Sequence, residues 1–183
     1  MIAMSTHSVQ VAGLTRELPL FEVAPGVTIA ILNILGDVEL VRACAKELAS
    51  KLAVKEYDVL LTAEAKSIPL IHTLAEETNK PYVVLRKNYK SYMGDVISAE
   101  TVSITTNSNQ TLYLDAKDQP LVAGRRVVLL DDVVSTGSTQ LGMRTVVEKA
   151  GGTVVAEAAI FTEGDRAKWA HVIALGHLPV FTS

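Results

Sequence analysis

Residues 127–140 read VVLLDDVVSTGSTQ, and no other stretch limits the fold of this chain so sharply. An unbroken apolar run of this length suits a strand covered on both faces, as in a parallel sheet. Two adjacent carboxylates, Asp131 and Asp132, close the run, and small hydroxyl residues gather around Gly137 just beyond them. In open α/β sheets, ligands sit outside the C-terminal ends of the strands. A turn of small residues feeding a helix aims several backbone N–H groups at one point, and the helix dipole favours negative charge there. Ser135, Thr136, Ser138 and Thr139 add hydroxyl donors, while Gly137 lets the backbone approach closely. The turn is therefore a phosphate cradle. Carboxylates beside a phosphate repel it unless they hold something else, and two partners suit them: sugar hydroxyls, which donate to carboxylate oxygens, and Mg2+, which prefers oxygen ligands. A phosphorylated sugar satisfies both halves of the motif. Acids serving only as a helix cap need one carboxylate rather than two.

The surrounding pattern supplies the sheet. GDVELVRACAKELASKL, from Gly36, places Val38, Val41, Ala45, Leu48 and Leu52 at helical spacing, with Asp37 as N-cap. YDVLLT (57–62) has strand length, and SIPLIHTLAEET reads as a helix with Ser67 near its start and Pro69 in the first turn, where a missing N–H costs little. PYVVLRK, RRVVLLDD and TVVAEAAIFTE supply three more strands, and STQLGMRTVVEKAGG a helix stopped at Gly151-Gly152. Such alternation predicts right-handed βαβ crossovers. Residues 1–30, with turn signals at Pro19 and Pro25-Gly26, predict irregular structure or small strands. Residues 101–115 predict an antiparallel hairpin turning around Asn107-Ser108-Asn109.

With 183 residues, 49% hydrophobic and 20% charged, the chain has material for a substantial core and is no candidate for disorder. A net charge of −3 gives no footprint for non-specific nucleic-acid binding. The longest apolar runs fall short of a membrane span, and MIAMSTHSVQ lacks the features of a signal peptide. A cytoplasmic protein with neither nucleic-acid nor membrane partners is expected. Cys44 is the sole cysteine, so no internal disulfide can form; His72, His171 and His177 lack metal-triad spacing, and Trp169 reads as ordinary core or surface.

The 127–140 stretch resembles the phosphoribosyl pyrophosphate (PRPP) signature of the type I phosphoribosyltransferases: apolar strand, two acids, two variable residues, then a small-Thr-Gly-small-Thr loop. The resemblance implies an α/β fold, a Rossmann-like parallel sheet flanked by helices. It also implies one domain over residues 1–183, with a small N-terminal hood (1–35), an α/β core (36–183) and an antiparallel mobile-loop hairpin. Asp131 and Asp132 would engage the ribose 2- and 3-hydroxyls and, indirectly, the Mg2+ that travels with PRPP. Ser135, Thr136, Gly137, Ser138 and Thr139 would hold the 5-phosphate. TAEAKS (62–67) looks like the pyrophosphate loop, bringing Glu64, Ala65, Lys66 and Ser67 to PRPP. Lys66 stands where adenine-type enzymes carry arginine, and Ser67 where glycine usually follows; lysine keeps the charge without the bidentate fork. RKNYKSYMGD resembles the mobile loop, making Arg86, Lys87 and Lys90 candidates for the pyrophosphate, contributed across a subunit boundary of a homodimer. FEVAPGVTIAILNILGD is similar in outline to the purine-covering hood, with the Val27 backbone facing the base, and ALGHLPVF is similar to a C-terminal segment of the adenine enzymes.

The activity so implied is transfer of the 5-phosphoribosyl group from PRPP to a purine base, yielding a nucleoside monophosphate and pyrophosphate in purine salvage. Lys66 would assist the departing pyrophosphate, and Glu100, close to the place of a mobile-loop glutamate, would assist protonation of the base. Adenine is the favoured acceptor, because hypoxanthine-guanine enzymes carry aspartate at the first phosphate-loop position and this chain has Ser135. The Arg-Asp pair of adenine enzymes is Ala30-Ile31 here. A xanthine enzyme and a non-catalytic PRPP-binding regulator are the alternatives; for the latter, the residues before Gly36 are too few for a winged helix ahead of the hood. An orotate enzyme fits the mobile loop and N-terminus less well.

Overall fold

The computed structural model describes residues 5–102 and 109–182. Its first strands, β1 (Thr6–Val11), β2 (Leu14–Ala24) and β3 (Val27–Ala30), pair antiparallel in succession. This segment is more regular than its turn signals suggest, since Pro19 sits within an 11-residue β2. Alternation turns Val9, Val11 and Leu18 inward. Helix α1 (Val38–Leu52) follows, and the Asp37 carboxylate caps it by accepting from the Leu40 N–H at 3.0 Å. Arg16 of β2 grips the same carboxylate through Nε at 2.7 Å and Nη2 at 3.1 Å, tying the meander to the helix start. Val41, Ala45, Leu48 and Leu52 are buried as their spacing predicts, whereas Val38 in the first turn is 60% exposed.

The remainder alternates. Strand β4 (Val59–Ala63), helix α2 (Ile68–Thr78) and strand β5 (Tyr82–Leu85) lead to a hairpin, β6 (Ile97–Val102) and β7 (Asn109–Leu114). Of the hairpin turn expected around Asn107-Ser108-Asn109, residues 107–108 lie outside the described residues and Asn109 opens β7. A short helix α3 (Gln119–Val122), strand β8 (Arg126–Val134), helix α4 (Ser138–Lys149) and strands β9 (Thr153–Glu163), β10 (Ile173–Leu178) and β11 (Val180–Thr182) complete the chain. The central sheet is parallel, in the order β10-β9-β8-β4-β5, so the C-terminal ends of β8, β4 and β5 lie side by side. β11 pairs antiparallel with β3, giving the N-terminal meander a fourth strand from the opposite end of the chain.

Alternation along β8 divides the core. Val128 and Leu130 face one cluster with Leu48 of α1, Ile71 of α2 and the meander; Val127 and Leu129 face another with Met143 of α4 and Leu112 of the hairpin. Helix α4 lies so close to the hairpin that a Cβ on Gly142 would overlap Thr101 Cγ2 and stand 3.0 Å from Leu112 Cδ1. Both neighbours are buried side chains in a packed layer, with little room to yield. Gly142→Val is therefore expected to cost about 1–3 kcal/mol. It should appear as a lower urea midpoint with an unchanged denaturant slope; an unaltered midpoint would mean the hairpin does not seat on α4.

Candidate functional site

Asp131 and Asp132 lie within β8, three and two residues before its end. Ser67, the N-cap residue of α2 and only 2% exposed, serves both acids: its Oγ donates to Asp131 Oδ1 at 3.0 Å and lies 3.4 Å from Asp132 Oδ1. Asp131 also accepts from the Asp132 backbone N–H at 2.9 Å and from Gln140 Nε2 at 2.9 Å. Asp132 Oδ2 stands 3.1 Å from Lys66 Nζ, but the angles do not make a hydrogen bond. That oxygen is thus buried beside a cation with no hydrogen-bond donor among the described residues. Asp131 keeps a little surface, yet dense surroundings first, and the Asp132 carboxylate second, push its carboxyl up to about 7.

Beyond β8 the hydroxyl-rich turn is open. Gly137 is the N-cap of α4 with φ at +87°, and no side chain caps that helix. The Ser138 N–H donates to Thr136 Oγ1 at 3.4 Å, and the Thr139 and Gln140 N–H groups behind it point toward where an anion would sit. Thr136 and Ser138 hydroxyls lie 3.1 Å apart, and Ser135 is exposed. Trp169 presses its indole edge on this turn, such that a Cβ on Gly137 would come within 2.5 Å of Trp169 Cη2. Lys168 Nζ donates to the Thr136 carbonyl at 3.0 Å and sits 4.4 Å over the Trp169 ring. The turn and this aromatic strap enclose a cavity of about 810 Å3, walled opposite by Phe21, Val23, Val27 and Ile29 of the meander. Ser135, Thr136, Ser138 and Thr139 all line it.

The neighbouring strand ends carry the remaining candidates. Glu64 follows β4 and receives Arg86 Nε at 2.7 Å and the Lys87 backbone N–H at 2.6 Å, joining the basic segment after β5 to the loop after β4. Ala65, Lys66 and Lys90 are exposed. Lys66 donates to the Leu32 carbonyl at 3.1 Å as well as facing Asp132. Ser67, expected on the pyrophosphate, is turned to the acidic pair. Arg86 is engaged by Glu64. Glu100 is exposed on β6, where alternation directs Ala99 and Thr101 inward, so the structure does not bring it to the cavity that Thr101 and Gln110 line.

Paired acids near a strand end, a small-residue turn opening a helix and a ligand-sized cavity lined by that turn stand next to one another. Residues 30–173 match the sequence model of the family described as "Phosphoribosyl transferase domain". The chain belongs to this family. The purine biosynthesis transcriptional repressor PurR of Bacillus subtilis (strain 168) is 31% identical over 132 residues, 72% of this chain and 46% of the repressor. The hypoxanthine/guanine phosphoribosyltransferase of Methanotorris igneus is 31% identical over 130 residues, 71% of this chain and 67% of that protein. The chain thus spans less than half of the repressor's length and about two thirds of the enzyme's. Adenine phosphoribosyltransferase from Thermoanaerobacter pseudethanolicus has a TM-score of 0.69 at 20% identity, covering 94% of this chain and 95% of that one. The Giardia lamblia enzyme complexed with 9-deazaadenine has a TM-score of 0.68 at 17% identity, covering 94% and 93%. At these identities the likeness is one of fold.

Within this phosphoribosyltransferase fold, sequence reasoning missed Gln140, Glu163 and Trp169. Gln140 was legible as a polar residue in the first turn of the helix behind the loop. Glu163 and Trp169 stand at and beyond the end of β9, next to β8 with its acidic pair, and strand ends are where site residues gather in such sheets. The Asp131 shift carries a stability consequence. Folded protein holds that proton to higher pH than the unfolded chain, so ligand-free stability falls as pH rises from about 4 to about 7. Asp131→Asn should therefore gain on wild type as pH rises from about 4 to about 7 in urea unfolding. Parallel pH profiles for the two proteins would contradict the raised carboxyl.

Proposed function

We propose that the chain transfers the 5-phosphoribosyl group of PRPP to a purine, with adenine as acceptor. The observation that carries this reading is the continuity of three subsites. The hydroxyl-rich turn begins just past the acidic pair near the end of β8 and lines a cavity walled by the meander and Trp169. The turn would hold the 5-phosphate, Asp131 and Asp132 the ribose hydroxyls, and the cavity the base, with Val27 on its wall. Ser135, uncharged at the first turn position, supports adenine.

In this reaction the bond from the anomeric carbon to pyrophosphate breaks, its electron pair leaving with the pyrophosphate oxygen. A base nitrogen supplies the new bond from the opposite face, and its proton passes to solvent. The chain's part is positioning and charge stabilisation. Lys66, with Arg86, Lys87 and Lys90 on the adjoining segment, supplies cations near the departing pyrophosphate. Mg2+ suits the oxygen-rich acidic pair, where Asp132 Oδ2 lacks a donor, and neutralises charge on the leaving group when bound with PRPP. A homodimer completing the site with the basic segment belongs to the same proposal, by analogy.

A regulator that binds PRPP without chemistry is the second reading, favoured by the placement of Glu100 away from the cavity and by the sequence likeness to PurR. Protein incubated with Mg2+, PRPP and, separately, adenine, hypoxanthine, guanine, xanthine and orotate decides between them. Adenine should give nucleotide and pyrophosphate; calorimetric PRPP binding with no product from any base would establish the regulator instead. The Asp131→Asn, Asp132→Asn double variant should weaken PRPP binding by about a hundredfold or more, through lost charge-assisted hydrogen bonds. Undiminished affinity in a folded double variant would remove their ribose role.

A further inference from the structure

Three charged side chains line the large cavity, and two of them are engaged. Asp165 accepts the Ala167 N–H at 2.9 Å, and Lys168 donates to the Thr136 carbonyl. The third, Glu163, is 8% exposed, and no described residue donates to its carboxyl. Burial alone raises this carboxyl above its ordinary value, with no partner to bring it down. Unlike Asp132 Oδ2, its oxygens are not sealed off, and the cavity is where a donor can reach them. Its aim follows from the strand. Thr162, the preceding residue of β9, turns to His177 Nδ1 at 2.9 Å, and alternation sends Glu163 to the other face, where the cavity lies. The Glu163 carbonyl accepts from Trp169 Nε1 at 3.1 Å, so the strap that walls the cavity also fixes this end of β9.

A partnerless carboxyl facing an apolar-walled cavity recognises a ligand that brings N–H donors into it. Resting on the purine reading above, we propose that Glu163 determines which base is accepted. Its carboxylate takes a hydrogen bond from the exocyclic 6-amino group of an aminopurine and disfavours a 6-oxopurine, whose carbonyl would set lone pairs against it. A site built around such an unmet acceptor discriminates strongly, because the wrong ligand leaves a buried polar group unpaired.

The nucleotide products test this without requiring turnover. AMP, IMP, GMP and PRPP would be titrated by calorimetry into wild type, Glu163→Gln and Glu163→Leu. Wild type is expected to bind AMP about tenfold or more tighter than IMP. Glu163→Leu should lose about tenfold or more for AMP while IMP changes less than about threefold, and Glu163→Gln, which can donate to a carbonyl, should narrow the AMP-to-IMP ratio further by helping IMP. PRPP affinity should stay level in both variants. Equal losses for AMP and IMP, no loss for either, or a loss confined to GMP overturns the assignment of Glu163 to the 6-amino group. If wild type binds PRPP but prefers neither AMP nor IMP, this inference fails while the PRPP site stands. If it binds neither PRPP nor nucleotide, both fall.

Discussion

Two carboxylates at adjacent positions near the end of a buried strand oppose one another, and much of the site is arranged to lessen that opposition. Ser67 reaches both acids with one hydroxyl, Gln140 and a backbone N–H serve Asp131, and Lys66 sets a positive charge beside Asp132. The side-chain partners come from two places: the turn from β4 into α2, which carries Lys66 and Ser67, and the first turn of α4. The acidic pair is thus the point where those elements are held in register. Its relief is incomplete, since Asp131 retains its proton toward neutrality and Asp132 Oδ2 stays without a donor. A ligand bearing hydroxyls and accompanied by a cation would supply both of the things the protein withholds.

The hydroxyl-rich turn depends on a second constraint, the contact between Gly137 and Trp169. With φ at +87° and the indole edge in the space a Cβ would fill, this position tolerates no side chain. The strap carrying Trp169 therefore packs against the hydroxyl-rich turn on one side while walling the cavity on the other. Lys168 strengthens the arrangement by donating to Thr136 and covering the same ring.

Much of this architecture could be read from local pattern. The α1 stripe, its Asp37 cap, and β4, β8 and β9 follow from apolar spacing that tertiary packing then respects. Other parts could not. β10 is half-buried at the sheet edge and interrupted by Gly176, so IALGHL has neither a continuous apolar run nor alternation. β11 exists only because β3, far away in sequence, offers an edge to pair with. The acids and the turn were legible as a site because their neighbours in sequence are their neighbours in space. Trp169 and Glu163 were not, because what makes them part of it is a contact across the fold.

Lys66 illustrates how a departure from the family pattern acquires a physical reason. An arginine spreads five donors in one plane, well suited to a flat oxyanion pair. The lysine ammonium has three donors directed apart, and here it already faces the Leu32 carbonyl, in the link between β3 and α1, and the Asp132 carboxylate. Those contacts lie on different parts of the fold, so a compact point charge can serve both where a rigid fork would serve one. Only one of the two is a formed hydrogen bond, which leaves donor capacity for an incoming anion. The lysine couples the N-terminal sheet to the acidic pair as well as lending charge to the leaving group in the proposed reaction, and this double duty gives a reason for lysine at a position where the resemblance leads one to expect arginine.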